Sequence, residues 1–315
     1  MDTQILMPDT EGFVRAAHVL GAGGLVSFPT ETVYGLGADA RQDAAVARIF
    51  EAKQRPTFNP LIVHVADIDA AKRYVIWTDL ADRLATAFWP GPLTLVLPLR
   101  QDAGLSPLVT ADLPTLAIRV PAHPVAQRLL AEFDGPVAAP SANPSGKISP
   151  TQAQHVIDGL TGRIEAVVDG GACGVGVEST ILGLGDAPTL LRPGGLPQEA
   201  LEIALGGPLA TRSEADPLTA PGQMLSHYAP GATVRLNATE TSDHERLLGF
   251  GNVEGATLNL SPAADLVEAA ANLFLHLHAL DAQSDAPIAV SPVPDIGLGR
   301  AINDRLRRAA APRDH

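Results

Sequence analysis

The chain has 315 residues, which at roughly 100–200 residues per domain predicts about two domains. Hydrophobic residues make up 46% and charged residues 18%, and the 29 glycines and 27 prolines follow no period, so wholesale disorder and a collagen-like chain are both excluded. The net charge is −13, and residues 1–208 and 209–315 are each net negative, so no overall field would attract a nucleic acid.

Cysteine usage and the N-terminal residues bear on the compartment. The single cysteine, Cys173, cannot form an internal disulfide, which fits a reducing environment. The first residues lack the basic stretch of a signal peptide, and no run of 18 apolar residues is long enough to cross a membrane. We therefore expect a cytoplasmic protein with no membrane partner.

Residues 24–195 alternate short apolar runs with helical patterns, which predicts an α/β domain with a mostly buried sheet. Val46, Ile49 and Phe50 recur at helical spacing, and Lys53 falls at the end of that helix. The predicted strands are residues 25–28, 61–65, 94–99, 116–120, 137–139, 166–168 and 180–182.

Two prolines are expected at helix starts. Pro124 is predicted to open one helix, and Ser149 followed by Pro150 is predicted to be the N-cap and first-turn proline of a helix that continues to Leu160.

The alternating pattern ends after Gly207. Residues 208–231 contain four prolines and no apolar periodicity, which is typical of a linker. Beyond it, a long helix is predicted over residues 263–280 and short strands at 233–236, 256–260 and 288–290. We therefore expect a second, smaller α/β unit.

Several common active-site motifs are absent from the sequence. Residues 144–148 are not a P-loop, because Ser141 and Ile148 replace the required first Gly and the final Ser or Thr. G-x-G-x-x-G, G-x-S-x-G and H-E-x-x-H are also missing, so any nucleotide would be held in another way and no zinc site or serine hydrolase is expected. His276 and His278 lie on different faces of the predicted helix and are interpreted as surface or packing residues.

Polar segments that follow predicted elements are candidates for chemistry. Residues 29–37 (P-T-E-T-V-Y-G-L-G) combine hydroxyls and a carboxylate with glycines, although a plain strand-to-helix connection is the alternative. Lys53 and Arg55 leave a helix into a proline-bracketed loop, which suits a phosphate unless the pair is only a solvated face. His64 stands in an otherwise apolar strand, where a core role is more common than ligand binding.

Further along, Arg119 lies within a predicted strand, where a charge is costly unless it is paired or binds an anion. Residues 138–146 lead from a strand into small polar side chains that suit a phosphate or carboxylate. V-E-S-T at 177–180 and L-R-P-G at 191–194 each place a polar side chain at the end of a strand. Each signal is weak alone, but together they predict a composite anion site.

This set of motifs resembles the threonylcarbamoyl-AMP synthase family, which has the YrdC-like fold. The resemblance covers residues 12–205, and H-Y-A-P at 227–230 and residues 297–306 resemble the members with two domains. It implies a YrdC-like α/β domain with a twisted mixed sheet at 1–207, a proline-rich linker that acts as a lid at 208–231, and a smaller Rossmann-like α/β domain at 232–315. The motifs are P-T-E-T-V-Y-G-L-G, K-x-R-P at 53–56, W-P-G-P-L-T at 89–94, R-V-P at 119–121, S-A-N at 141–143, V-E-S-T and L-R-P-G.

The resemblance implies a reaction in which L-threonine, bicarbonate or CO2, and ATP give L-threonylcarbamoyl-AMP and pyrophosphate, for the threonylcarbamoyl modification of tRNA. Mg²⁺ is expected with ATP, and a downstream tRNA threonylcarbamoyltransferase machinery is the implied partner. Catalysis would rest on alignment and charge neutralisation by Lys53, Arg55, Ser141 and Asn143.

The resemblance also assigns the ligand contacts. For L-threonine it implies Thr32, His64, Arg119, the backbone at Ala139, and Ser179. For the nucleotide it implies Lys53, Arg55, Asn59, Thr115, Ser141, Asn143, Ser149, Arg192 and Tyr228, with Tyr228 reaching in from the linker and lying outside both domain cores.

The alternative function is an RNA-binding module of the same fold. The acidic N-terminal part argues against it, and the only basic cluster, Arg300, Arg305, Arg307 and Arg308, is interpreted as a solvated helix face. A related carbamoyltransferase that matures hydrogenases would need paired-cysteine zinc sites, which one cysteine cannot supply. We therefore expect no strong direct binding of nucleic acid.

Overall fold

A computed structural model describes residues 2–211 and 227–312. These two ranges are called the N-terminal part and the C-terminal part below. The N-terminal part forms one mixed sheet flanked by helices, and the C-terminal part forms a smaller parallel sheet. The predicted α/β class with a second, smaller domain is confirmed. The exact boundaries at 207 and 232 stay a prediction.

The large sheet has the strand order β1-β8-β2-β3-β7-β4-β6-β5-β9-β10-β11 and contains both parallel and antiparallel pairs. Its strands are Gln4–Leu6 (β1), Val26–Pro29 (β2), Tyr34–Asp39 (β3), Ile62–His64 (β4), Leu93–Pro98 (β5), Thr115–Arg119 (β6), Val137–Ala138 (β7), Ala166–Val168 (β8), Thr180–Leu184 (β9), Pro188–Arg192 (β10) and Ala210–Thr211 (β11).

Helices cover both faces of this sheet, so most strand residues are buried and few strands show polar alternation. Val26 and Phe28 pack with one helical layer, while Tyr34 and Leu36 belong to the cluster on the other face. The helices are Thr10–Gly21 (α1), Asp43–Lys53 (α2), Ile68–Lys72 (α3), Asp79–Phe88 (α4), Pro107–Thr110 (α5), Pro124–Phe133 (α6), Ala153–Leu160 (α7) and Gln198–Leu205 (α8).

The small sheet is parallel, with the order β12-β15-β13-β14. Its core is formed by the buried faces of two helices and the strands they cover. The elements are Val234–Arg235 (β12), Arg246–Gly249 (β13), Leu258–Asn259 (β14), Leu266–Gln283 (α9), Ile288–Val290 (β15) and Gly299–Ala310 (α10).

The segment that follows β2 is the turn of a hairpin, not a strand-to-helix connection. Residues 30–33 turn the chain, and β3 then pairs with β2 in antiparallel register, with Phe28 opposite Gly35. A side chain at Gly37 would collide with Val137 and Phe28, so this glycine allows close packing.

One of the two predicted helix starts is wrong. Pro124 does begin α6, as predicted. Ser149 is not a cap, because α7 begins only at Ala153 and Gln152 occupies the N-cap position without a side-chain bond. The Ser149 hydroxyl instead bonds to a buried carboxylate described below.

The N- and C-terminal parts share an apolar interface. Val33, Ile148 and Val177 of the first belong to the same buried cluster as Phe274 of α9. Gly176 has a φ of 77°, and a Cβ there would lie 2.4 Å from the Ala270 carbonyl oxygen, so α9 sits directly on the N-terminal backbone. The two parts are therefore packed together.

The predicted linker at 208–231 is only partly within the described residues. Its positions 210–211 form β11, which pairs with β10. Its last residues are buried and are described with the site. Residues 212–226, including Pro217 and Pro221, lie outside the described residues. Among the residues that the structure does describe, no helix has the length and apolar character needed to cross a membrane.

Candidate active site

A cavity opens where the carboxyl ends of β4 and β6 meet the turn between β2 and β3 and the segments beside β7, β9 and β10. The cavity is open to solvent on one side, and about 520 Å³ of space, solvent included, lies within its walls. The lining residues are Thr30, Thr32, Val33, Gly35, Arg55, Ile62, His64, Arg119, Ala139, Pro140, Ser141, Glu178, Ser179, Arg192, His227 and Tyr228.

Arg119 ends β6 and is held on three sides. Its Nη1 donates to Thr32 Oγ1 at 3.0 Å, its Nε to the Gly91 carbonyl at 3.1 Å, and its Nη2 to Glu31 at 2.5 Å. Glu31 also accepts a hydrogen bond from the Ala122 amide at 3.0 Å. The guanidinium is therefore buried, paired and fixed in orientation, as an anion-binding fork requires.

His64 ends β4 and lies beside Arg119, because β4 and β6 are parallel and these two residues are partners in register. Burial, together with the charge of Arg119, lowers the pKa of His64 to about 3. Its Nδ1 is buried and has no hydrogen-bond partner among the described residues. His64 is thus a neutral side chain that can hydrogen-bond a ligand and is a poor base at neutral pH.

Lys53 and Arg55 take different positions after α2. Arg55 lines the cavity, and its guanidinium donates to the Asn59 and Pro60 carbonyls at 3.3 and 3.0 Å. Lys53 does not line the cavity; its ammonium donates to the Ser141 and Asn143 carbonyls, each at 2.5 Å. Lys53 therefore fastens the S-A-N loop, and burial lowers its pKa well below the ordinary value.

The S-A-N loop continues this arrangement. The Ser141 backbone bridges to Gly35 of β3, which brings the Ser141 side chain to the cavity wall. Asn143 is buried behind it, and its Nδ2 donates to the Pro144 and Lys147 carbonyls at 2.8 and 2.9 Å. Asn143 thus stabilises the loop rather than lining the cavity.

Ser179 and Arg192 lie next to each other in the cavity lining. The hydroxyls of Ser179 and Thr94 lie 2.7 Å apart, and Arg192 Nη2 donates to the Ser179 carbonyl at 2.9 Å. The two residues belong to adjacent antiparallel strand regions, β9 and β10, so the sheet itself places them together.

Glu178 is the carboxylate that lines the cavity, and the sequence analysis did not assign it a role. One of its oxygens accepts from the Ser149 hydroxyl at 2.5 Å and the other from Arg305 Nε at 2.9 Å. Burial raises the pKa of Glu178, but the charges of Arg305 and Arg192 and the hydrogen bonds from Ser149 and Arg305 together lower it more, so the net shift is downward and the group stays ionised.

The interpretation of the basic cluster on α10 as a solvated face was wrong for Arg305. It was predicted to lie on a solvated face, but its side chain is fully buried and pairs with Glu178. Arg300 and Arg308 are also paired, with Glu199 and Asp304. These residues therefore do not form a free basic patch for a polyanion.

Tyr228 lines the cavity, as predicted, but its setting differs from that of a spacer between domains. Its ring is 1% exposed, lies 5.5 Å from the Phe274 ring, and belongs to the C-terminal core cluster. Its φ of 63° is in the left-handed region, a strained conformation for a non-glycine residue. The neighbouring His227 also lines the cavity, and the Ala229 amide donates to the Gly146 carbonyl at 2.8 Å.

The structure brings most of the predicted site residues together. Those that line the cavity are Thr32, Arg55, His64, Arg119, Ala139, Ser141, Ser179, Arg192 and Tyr228. Those behind the wall are Lys53, Asn59, Asn143 and Ser149, all buried. Thr115 is half-buried at the far end of β6, four residues before Arg119, and does not line the cavity.

The residues that sequence reasoning missed are Thr30, Glu178, His227 and Arg305. All four lie inside segments that the sequence analysis singled out, but the sequence did not show which way their side chains point. The pairing of Arg305 in particular could not be inferred locally, because its partner Glu178 lies 127 positions away.

The charge balance of the cavity favours anionic ligands. Among the described residues, the guanidinium groups of Arg55, Arg119 and Arg192 face it together with one carboxylate, Glu178, that is already paired. Within residues 2–211 and 227–312, no group of three or more His, Cys, Asp and Glu side chains could hold a metal ion. The residues present therefore do not form a metal site of their own.

Two family models match the chain in succession. A model described as "Telomere recombination" matches residues 18–194, and one described as "Threonylcarbamoyl-AMP synthase, C-terminal domain" matches residues 196–311. Together they account for nearly all of the residues that form the two sheets.

Individual relatives agree with this match. The threonylcarbamoyl-AMP synthase of Bacillus subtilis is 42% identical, with 99% of this chain and 96% of that protein covered. The structure of Pyrococcus abyssi Sua5 in complex with L-threonine superposes with a TM-score of 0.90 at 38% identity, covering 98% of each chain. Escherichia coli YciO shares only the fold, at 24% identity and a TM-score of 0.56. The chain belongs to the threonylcarbamoyl-AMP synthase family.

Proposed function

We propose that this chain is an L-threonylcarbamoyladenylate synthase, which converts L-threonine, bicarbonate or CO2, and ATP into L-threonylcarbamoyl-AMP and pyrophosphate. The observation that carries the proposal is that the guanidinium groups of Arg55, Arg119 and Arg192 line a single cavity. Guanidinium groups of this kind bind both carboxylates and phosphates, so one cavity offers contacts for an amino acid and for a polyphosphate.

L-Threonine is placed at the Arg119 side. The Arg119 guanidinium would bind the carboxylate, while Thr32, Ser179 and the neutral His64 offer hydrogen-bonding groups to the rest of the molecule. The backbone at Ala139 completes this side. His64 is proposed to orient the ligand rather than to accept its proton.

ATP is placed toward Arg55, Ser141 and Arg192. Arg55 and Arg192 would neutralise phosphate charge, and the S-A-N loop, held by Lys53 and Asn143, would present Ser141 to the phosphates. Tyr228 is proposed to contact the nucleotide, with Ser149 behind the same wall. Asn59 and Thr115 would act from outside the lining, by supporting the loop and the strand that carry them.

The chemical step needs alignment more than a protein nucleophile. The threonine nitrogen bonds to the carbon of CO2, or of bicarbonate with loss of hydroxide, and its proton passes to solvent. A carbamate oxygen then bonds to the α-phosphorus of ATP, and the bond from that phosphorus to the bridging oxygen breaks, releasing pyrophosphate. Fixed guanidinium groups stabilise the charge that develops.

Mg²⁺ is proposed to arrive on the ATP phosphates. The described residues offer only Glu178 as a cavity carboxylate, and that group is held by Ser149 and Arg305. Mg²⁺ is commonly bound through substrate phosphates and water with few protein ligands. No step is therefore assigned to a protein-held metal ion.

The product is an activated carbamate, so we propose that a tRNA threonylcarbamoyltransferase machinery consumes it and that the cytoplasm is the compartment. An RNA-binding module is less well supported, since Arg305 is buried and the neighbouring Arg300 and Arg308 are paired. Direct binding of tRNA at low ionic strength, where electrostatic contacts are strongest, would revive that alternative.

The test is pyrophosphate release with each substrate omitted in turn, together with mass analysis of the product. We expect release only when L-threonine, bicarbonate and ATP are all present, because without a carbamate the α-phosphorus has no acceptor except water. Equal release without threonine would contradict the proposal. Two amino acids provide matched controls: serine lacks the methyl group of threonine, and valine has a methyl group in place of its hydroxyl.

A further inference from the structure

Arg305 is a buried charge in the helix farthest along the chain from the cavity motifs. It lies on α10 and is fully buried. Its Nη1 donates to the Pro193 carbonyl at 2.5 Å and to Asp304 at 3.0 Å, and its Nε donates to Glu178 at 2.9 Å. Moving a guanidinium out of water is costly, and its Nη2 has no hydrogen-bond partner within the described ranges. Stability alone does not explain this arrangement.

The partner of Arg305 lies in the cavity wall. Glu178 accepts from Arg305 with one oxygen and from the Ser149 hydroxyl with the other. The three side chains form a continuous chain of charge-assisted hydrogen bonds from α10 to the nucleotide side of the cavity. If Arg305 were absent, Glu178 would be a buried carboxylate with one free oxygen and would reorient or take up a proton.

Arg305 also fixes two other parts of the wall. Its guanidinium carbon lies 5.5 Å from the centre of the Tyr228 ring, a cation–π distance. Pro193, whose carbonyl it binds, directly follows Arg192. One side chain of the C-terminal part therefore touches Glu178, Tyr228 and the residue next to Arg192, all on the same side of the cavity.

Within residues 2–211 and 227–312, Arg119 has no hydrogen bond or ion pair with the C-terminal part. Arg119 receives its support from Glu31, Thr32 and Gly91, all in the N-terminal part. Ser179, which the proposed function assigns to threonine, directly follows Glu178, but its hydroxyl lies 2.7 Å from that of Thr94 and is not bonded to Arg305. Loss of Arg305 should therefore affect ATP much more than threonine.

We propose that Arg305 is a positioning residue for the nucleotide: it orients the Glu178 carboxylate, and through it the Ser149 hydroxyl, without touching a substrate. This inference rests on the proposed function and gives the C-terminal part a definite contribution to it. The C-terminal part would supply the counter-charge that shapes the ATP side of the site.

The same helix offers a matched control. Arg300 also forms an ion pair between the two parts, with Glu199 of α8, but neither residue lines the cavity. Arg300→Met therefore removes an ion pair between the parts and leaves Glu178 untouched. Any effect of general loosening between the parts should appear in both variants.

The experiment compares wild type, Arg305→Met, Arg305→Lys and Arg300→Met. The readouts are the KM for ATP, the KM for L-threonine and kcat from pyrophosphate release, with ATP affinity by calorimetry. We expect Arg305→Met to raise the ATP KM at least tenfold with the threonine KM changed less than twofold. Arg305→Lys should recover part of the loss, because it restores charge without the guanidinium geometry. Arg300→Met should behave as wild type.

A charge-balanced variant guards against misfolding. Arg305→Met with Glu178→Gln removes both charges, so no uncompensated carboxylate is left buried. Because Arg305 is proposed to act through Glu178, the double variant should bind ATP no more weakly than Glu178→Gln alone. If Arg305→Met does not fold, this comparison and Arg305→Lys decide the question.

Three results would overturn the inference: equal rises in both KM values, an equal loss in Arg300→Met, or additive losses in the double variant. Each would make Arg305 a structural residue. A wild-type chain that binds ATP but releases no pyrophosphate with threonine and bicarbonate would defeat the proposed function instead. In that case the calorimetric comparison of ATP affinities would still test Arg305.

Discussion

The Arg119 side of the cavity and its Glu178 side differ in where their supporting charges come from. Arg119 is held by Glu31, which lies in the turn between two strands of the same sheet. Glu178 is held by Arg305, which lies on α10 in the C-terminal part. The first side can form from the large sheet alone, whereas the second needs both parts of the chain.

This difference separates two ways of building a site. Strand register places Arg119 beside His64, and neighbouring loops complete their hydrogen bonds. The Glu178 side depends on packing between α9, α10 and the N-terminal backbone, including the close contact at Gly176. Changes on the first side should alter one ligand contact, while changes on the second should couple ligand binding to stability.

Tyr228→Ala should produce the largest loss of stability and of ATP affinity. A small loss would contradict the idea that the Glu178 side couples ligand binding to stability. The ring is 1% exposed in a packed core, and deleting a buried aromatic side chain costs roughly 3–5 kcal/mol. We expect the free energy of unfolding to fall by about that amount, and ATP affinity to fall about ten- to a hundredfold. Chemical denaturation and calorimetry measure the two effects.

Tyr228→Phe is the matched control, because it keeps the ring and its contact with Phe274. It should keep most of the stability. A Tyr228→Ala protein that unfolds like wild type would show that Tyr228 is not part of the C-terminal core.

Arg119→Lys should come next and should act on one substrate. A charged hydrogen bond contributes about 1.5–3 kcal/mol, and Lys cannot reproduce the planar fork, so the threonine KM should rise about 10- to 100-fold. The ATP KM should change little. Steady-state kinetics with each substrate varied would check this. A rise in the ATP KM alone would show that Arg119 contacts the nucleotide and not threonine.

Low pH should destabilise the folded protein through a buried histidine on each side of the cavity, His64 beside Arg119 and His227 beside Tyr228. Burial lowers the pKa of His64 to about 3, and burial also lowers that of His227 to about 3. The unfolded pKa is about 6.5, so the unfolded state binds more protons between these values. The free energy of unfolding should therefore fall as the pH drops below about 6.5, by up to about 1.4 kcal/mol per pH unit for each group.

The measurement is denaturant unfolding of wild type, His64→Gln and His227→Gln between pH 7 and pH 5. Each variant should show a shallower loss than wild type. An unchanged slope for one of them would mean that this histidine is accessible to protons in the folded protein.

Arg300→Met should have the smallest effect on stability. The ion pair with Glu199 is partly exposed, and such pairs contribute about 0–1 kcal/mol. We expect the denaturation midpoint to move little and to move less in high salt. A loss of several kcal/mol would show that this contact, rather than the apolar interface, holds the parts together.

The fold could be predicted from the sequence where the local spacing of apolar residues determines the secondary structure. The apolar spacing of Val46, Ile49 and Phe50 is realised as the buried face of α2. The strand β3 was not predicted, because Gly35 and Gly37 indicate a loop when read locally. In the structure Gly37 packs against Phe28 and Val137, and that requirement comes from tertiary contacts.

The site was predictable where a motif residue ends a strand, as His64 and Arg119 do. Ser149 was misread as a helix cap because its partner, Glu178, is 29 residues away. Arg305 was misread as solvated because a helical pattern does not reveal which charge is matched by a distant carboxylate. Long-range charge pairs are invisible to local periodicity.

The Glu178–Arg305 pair has a consequence for synthesis on the ribosome. Glu178 is translated 127 residues before Arg305, so the large sheet can emerge and collapse while this carboxylate still lacks its counter-charge. A buried carboxylate without a partner favours a loose, hydrated wall. We expect the nascent N-terminal part to keep that wall open until α10 is made, which delays nucleotide binding until both parts are present.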